Sequence, residues 1–93
     1  MANKTSLAGK KRVRFELHGE KGNEVYVAGS FNSWDPNKNK LRFKNGVYST
    51  SLLLAKGRYE YKFVVNGNWG IDPACEEWTP NEMGSLNSVI TVL

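Results

Sequence analysis

The sequence predicts an all-β fold, an antiparallel sandwich of about seven short strands, and three observations predict it. Apolar and polar residues alternate with a period of two in one segment after another, the pattern of strands buried on one face. Turn-forming pairs such as Asn45-Gly46 and Asn66-Gly67 separate these segments at close spacing. No segment carries a sustained helical stripe. A length of 93 residues suits one compact domain and leaves no room for a second. With 40% hydrophobic and 24% charged residues, the chain has material for a core, which excludes a disordered or fibrous class.

The elements follow in order. Residues 1–10 read as a flexible tail and residues 11–93 as the single domain. From Arg12 to His18, Val13, Phe15 and Leu17 alternate with Arg12, Arg14, Glu16 and His18, giving a first strand. Turn residues around Gly22 lead to a second, Glu24 to Ala28. The stretch from Gly29 to Asn39 is too rich in turn formers to stay extended and reads as a long structured loop. Leu41 and Phe43 then enter a hairpin at Asn45-Gly46, and Val47 to Leu54 leaves it. A further hairpin is expected through Ala55-Lys56-Gly57. From Arg58 to Val65 the alternation is clearest: Tyr59, Tyr61, Phe63 and Val65 face the core, and Arg58, Glu60, Lys62 and Val64 face out. Asn66-Gly67 turns and presents Trp69, an irregular stretch runs from Asp72 to Gly84, and Asn87 to Leu93 closes the domain as a strand.

Charge and cysteine content narrow the function. Residues 1–46 hold ten Lys or Arg against four Asp or Glu, and residues 47–93 three against five. The basic run Lys10 to Arg14 would suit nucleic acid, but no nucleic-acid motif accompanies it, and alternating cations also serve as the solvated guard of a strand edge. The expectation is no nucleic acid and no membrane. Cys75 has no cysteine partner and no metal-ligand spacing around it, so neither metal nor cofactor is implied. No leader-like or membrane-spanning run occurs, and a soluble, cytoplasmic, single-domain protein is expected. The case for an enzyme is thin. His18 stands on a polar strand face without a partner. Asp72, Glu76, Glu77 and Glu82 read as loop solvation rather than as a carboxylate pair for glycoside cleavage. No catalytic residue is assigned.

Aromatics make up 12% of the chain, more than so small an interior can hide. Trp34 and Trp69 fall outside the alternating core positions, each after a polar turn containing Asn. A flat, amphipathic ring flanked by polar groups suits the apolar face and hydroxyl rim of a sugar.

Four blocks then resemble one family. They are Val27-Ala28-Gly29-Ser30-Phe31-Asn32-Ser33-Trp34, Gly57 to Trp69 with its Tyr61-Lys62-Phe63 centre, Asp72-Pro73, and Gly84-Ser85-Leu86-Asn87-Ser88-Val89-Ile90. In this order they resemble carbohydrate-binding module family 48, which includes the glycogen-binding domain of the AMP-activated protein kinase β subunit and the N-terminal domains of isoamylases and branching enzymes. The resemblance implies an immunoglobulin-like sandwich that binds glycogen, starch or maltooligosaccharides without catalysis. It implies sugar-stacking roles for Trp34 and Trp69, hydroxyl contacts for Lys62, Ser85 and Asn87, and an apolar contact for Met83. The family's Asp-Gly before the second tryptophan is Asn66-Gly67 here, and Met83 stands for its leucine. The strand alternation independently puts Lys62 and Asn87 on outward faces. Trp78 has no matching role; it either covers one end of the sandwich or extends the platform, and packing is favoured. Phe31 is expected to anchor the loop bearing Trp34.

Two other functions compete with glucan binding. One is a protein-docking or regulatory module using the basic edge at Lys10 to Arg14, associated with a glycoside hydrolase family 13 type enzyme. The other is glycoside hydrolysis by the chain itself, for which the sequence offers no catalytic centre. A glucan-metabolising enzyme is an expected partner.

Overall fold

The computed structural model describes residues 9–93; residues 1–8, most of the expected tail, lie outside it. Among the described residues eight strands form: β1 (Lys10–His18), β2 (Val25–Gly29), β3 (Asn39–Lys44), β4 (Val47–Ala55), β5 (Gly57–Val65), β6 (Asn68–Gly70), β7 (Trp78–Pro80) and β8 (Leu86–Val92). The first begins at Lys10, inside the span read as tail. One 3₁₀ turn, Ser30–Asn32, interrupts the loop after β2. All strand pairs are antiparallel.

The fold is a small β-sandwich in which β3 is divided between two sheets. Its first half pairs with β2, Val25 opposite Leu41, and its second half with β4, Phe43 opposite Tyr48. One sheet therefore carries β1, β4 and the end of β3. The other runs from the start of β3 through β2, β5 and β8 to β7, with β6 beside β8 along the same edge of β5. Between the sheets lie Phe15, Val25, Val27, Leu41, Tyr48, Leu54, Tyr61, Phe63 and Val92, all buried. Tyr61 meets both Phe15 and Phe63 edge-on, with centroids 5.0 and 5.9 Å away.

The two Asn-Gly turns behave as read. Asn45 and Gly46 have φ of 51° and 82°, and Asn66 and Gly67 have 51° and 84°, the left-handed pair that a two-residue hairpin requires.

The hairpin expected at Ala55-Lys56-Gly57 does not form. β4 pairs only with β1 and β3, and β5 only with β2, β6 and β8. The segment is a corner between the sheets. Gly57, at φ +155°, supplies a backbone angle that other residues rarely adopt. The strand count also rises to eight, because Trp78–Pro80 adds to β8 as a short edge strand inside the stretch read as irregular.

Candidate functional site

The outward face of the larger sheet is built over rather than bare. Ala28, Val64 and Val89 point away from the core by alternation, yet all three are buried. Val64 lies between Tyr26 on β2 and Trp69 on β6 in the cross-strand register. Above this face opens a groove of about 1010 Å³, and Trp34, Lys62, Trp69, Met83, Ser85 and Asn87 all line it. The groove thus brings together all six residues singled out from the sequence. It also adds Glu60 and Asn81, which were not.

Trp34 reaches the groove through an unusual piece of backbone. Ser33 and Trp34 both have φ of +58°, a left-handed pair that for non-glycine residues costs on the order of 1 kcal/mol each. Asn32 holds this turn. Its buried side chain accepts from the Gly29 amide at 3.0 Å and donates to the Val27 carbonyl at 3.0 Å and to Asn39 Oδ1 at 2.7 Å. The Trp34 amide closes the loop onto the Gly29 carbonyl at 2.9 Å. Phe31 anchors it, its ring 5.4 Å from Phe15 and 6.1 Å from Tyr59. Gly29 is required by space: a Cβ there would sit 2.5 Å from the Glu60 carbonyl oxygen and 2.7 Å from the Phe31 ring.

Trp69 is carried by the Asn66-Gly67 hairpin. Asn66 Oδ1 accepts from the Glu24 amide at 2.9 Å, and its Nδ2 donates to Asn23 Oδ1 at 2.9 Å. This fastens the turn to the start of β2. The asparagines beside the tryptophans, read as the rim of a platform, therefore bond to the protein itself at positions 32 and 66 and brace the loops, Asn32 buried and Asn66 at the surface. Trp69 remains 46% exposed.

A chain of polar contacts forms the floor and one wall. Lys62 Nζ donates to Ser85 Oγ at 2.7 Å, and Asn81 Nδ2 donates to the same oxygen at 2.8 Å. With both partners donating, the Ser85 hydroxyl keeps its own proton for a further acceptor. Asn81 also organises the loop from 81 to 85, its Oδ1 accepting from the amides of Met83 and Ser85 at 2.9 and 3.1 Å. That loop lifts Met83 to 92% exposure.

Asn87 lies on the outward face of β8, as expected, but it is covered there. It is only 6% exposed, and both ends of its amide are engaged: Nδ2 donates to Glu60 Oε1 at 2.9 Å, and Oδ1 accepts from Asn81 at 3.2 Å. In this arrangement Asn87 positions its neighbours, and Glu60 is the acceptor the groove presents. Hydrogen bonds from Asn87 and then Arg58 hold the Glu60 carboxyl below its ordinary pKa. It is a carboxylate at neutral pH, fit to accept hydroxyl protons and unfit as the protonated acid that glycoside cleavage needs. Glu60 was legible in principle, standing two residues before Lys62 on the same strand face.

The acidic loop residues divide. Asp72, expected to be solvated, is half-buried: it accepts from the Tyr61 hydroxyl at 2.7 Å and from the Ala74 amide at 2.9 Å. Burial, followed by that carboxylate, pushes the Tyr61 phenol far up, so it stays neutral. Glu82 lines the groove, while Glu76 and Glu77 are exposed elsewhere. Trp78 departs from the favoured packing role. It lies on edge strand β7, 56% exposed and outside the groove. Among the described residues no cluster of His, Cys, Asp or Glu has the makings of a metal site.

Three comparisons bear on this geometry. The family model described as the glycogen recognition site of AMP-activated protein kinase matches residues 11–93. The β-1 subunit of 5'-AMP-activated protein kinase from Sus scrofa is 38% identical over 71 residues, covering 76% of this chain and 56% of that one. Protein PTST homolog 2, chloroplastic, from Arabidopsis thaliana is 46% identical over 50 residues, covering 54% of this chain and 9% of its own length. The chain thus spans between about a tenth and just over half of these relatives. Among solved structures, a maltogenic amylase from S. marinus superposes with a TM-score of 0.77 at 26% identity, over 91% of this chain and 14% of the amylase.

Proposed function

The chain belongs to the family of the glycogen recognition site of AMP-activated protein kinase, a non-catalytic carbohydrate-binding module, and from that premise we propose that it binds α-1,4-linked glucans in the groove between Trp34 and Trp69. One observation carries the reading: two tryptophan rings share a single open groove with a carboxylate acceptor, Glu60, and two donors, Lys62 and Ser85. Rings take the apolar faces of glucose units. The polar wall takes their hydroxyls, which both donate and accept. If each ring removes on the order of 80 Å² of apolar surface from water, it contributes roughly 2 kcal/mol before ordering terms. Weak to moderate affinity follows.

The chain itself is not an enzyme in this reading. It holds itself, or an enzyme that acts on glucans, on the polymer, a role in keeping with its match to a small part of a maltogenic amylase. Titration with maltoheptaose is expected to quench tryptophan fluorescence, and Trp34→Ala or Trp69→Ala to weaken binding roughly thirtyfold, the equivalent of one ring. Retention of wild-type affinity in both variants would refute the site. A parallel chemical-shift titration with an isomaltooligosaccharide and cellohexaose tests linkage, and equal response to all three would refute the α-1,4 preference.

A further inference from the structure

A second feature lies away from the groove, where two strand edges stand open beside each other. Among the described residues β1 pairs only with β4, so its other edge has no strand against it from Lys10 to His18. β8 is open as well. Short β7 covers it only from Leu86 to Ser88, and the Val89 amide is taken by the Glu77 carbonyl at 2.9 Å. Between these edges lies a shallow groove of about 430 Å³, walled by residues 11–14 on one side and 90–93 on the other. Val13 lies toward the core, while Lys10, Lys11, Arg12 and Arg14 are exposed. Lys56 follows Ala55, the register partner of Lys10. The nearby acid, Glu16, is paired with Arg14 at 2.6 Å.

Open edges of this kind invite a further strand, and cations along them repel copies of themselves. Antiparallel pairing of two β1 strands over their basic half, centred on Arg12, would set Lys10 against Arg14 and Arg12 against Arg12. The same charges select a strand of opposite sign, because specificity grows from the repulsion of the wrong partner as much as from attraction of the right one. We infer that β1 is a docking edge for an extended acidic segment of a partner protein, which adds to the sheet by backbone hydrogen bonds while its carboxylates meet Lys10, Arg12 and Arg14 on one face. The inference is independent of glucan binding, since none of these residues lines the tryptophan groove.

An alternating Glu-Val peptide of strand length is the probe, followed by amide chemical shifts and hydrogen exchange. The expected result is shifts and slowed exchange in residues 10–14 and 90–92, with the Trp69 resonances unmoved. Affinity should fall roughly tenfold or more in the double variant Arg12→Glu, Arg14→Glu, while maltoheptaose binding, unchanged, certifies the fold. A backbone N-methylated version of the peptide should lose binding, because it cannot complete the ladder. Equal binding of an alternating Lys-Val peptide would overturn the inference. So would tighter binding of a single-stranded oligonucleotide, or the same shifts arising from protein concentration alone, which would make the occupant a second copy.

Discussion

The two outward faces of the sandwich obey the same alternation and end in opposite conditions. On the smaller sheet, Arg12, Arg14, Glu16 and His18 on β1, with Arg42 and Lys44 on β3, stand in solvent. Beneath the groove of the larger sheet, the corresponding positions are Ala28, Val64, Asn87 and Val89, and all are buried. Strand periodicity does not separate these faces. What separates them is the loops from 30 to 38 and from 71 to 85, which fold over one sheet and leave the other bare. A site arises here where loops add a third layer, held by buried amides rather than by further core.

That comparison can be broken at its bracing amide. Asn32→Ala removes three hydrogen bonds and leaves the Val27 carbonyl and Gly29 amide without this partner. At about 1 kcal/mol each, the loss is about 3 kcal/mol of stability, or a drop in melting temperature of roughly 12–24 °C. Thermal denaturation measures it, and a drop below a few degrees would show that the loop braces itself by other means.

A smaller effect sharpens the division of labour within the groove. Glu60→Gln keeps the shape and removes the charge, so glucan affinity should fall by several-fold, about 1 kcal/mol, with little change in unfolding. Asn87→Ser should act through Glu60 and add little in the Glu60→Gln background, so the two variants together form a double-mutant cycle read by calorimetry. Simple additivity would mean that Asn87 meets the sugar directly. The carboxyl also predicts a pH dependence. Its folded pKa lies below the ordinary value of 4.5, so its contribution is complete above that value and is lost as pH falls through the lowered folded value. Acid titration of wild type against Glu60→Gln should show the difference between them closing over that window.

The smallest effect belongs to the bare face. Arg42→Gln should change stability by no more than about 0.5 kcal/mol and leave glucan affinity alone, because no hydrogen bond or ion pair holds this side chain among the described residues. A large loss of glucan affinity there would erase the distinction between the faces.

Much of this was legible in the sequence, and for identifiable reasons. Two-residue turns at Asn45-Gly46 and Asn66-Gly67 are local, so their backbone preferences show in two letters. The tryptophans and Lys62 were legible because they break or complete a simple alternation. Partners distant in the chain were not. Asn32 and Asn66 carry the same chemistry whether they face a ligand or a backbone amide, and only the fold decides which. Val64 looked solvent-facing because alternation cannot count the layers above it. The turn at Ala55-Lys56-Gly57 misled because a corner between sheets and a hairpin draw on the same residue types. Asn87 and Glu60 exchange roles only when the register sets β5 beside β8.

The divided strand β3 has a mechanical consequence. Because Asn39–Leu41 belongs to one sheet and Arg42–Lys44 to the other, separating the sheets must break the pairing of one half of this strand. The loop bearing Trp34 ends where that strand begins, and Asn39 is also the side chain that receives the brace from Asn32. Tension at the tryptophan groove is thus handed along one continuous backbone to the hairpin at Asn45-Gly46 on the far sheet. A module that pulls on a polymer at one face and on a partner at the other would carry the load through covalent bonds rather than through the seam between its layers.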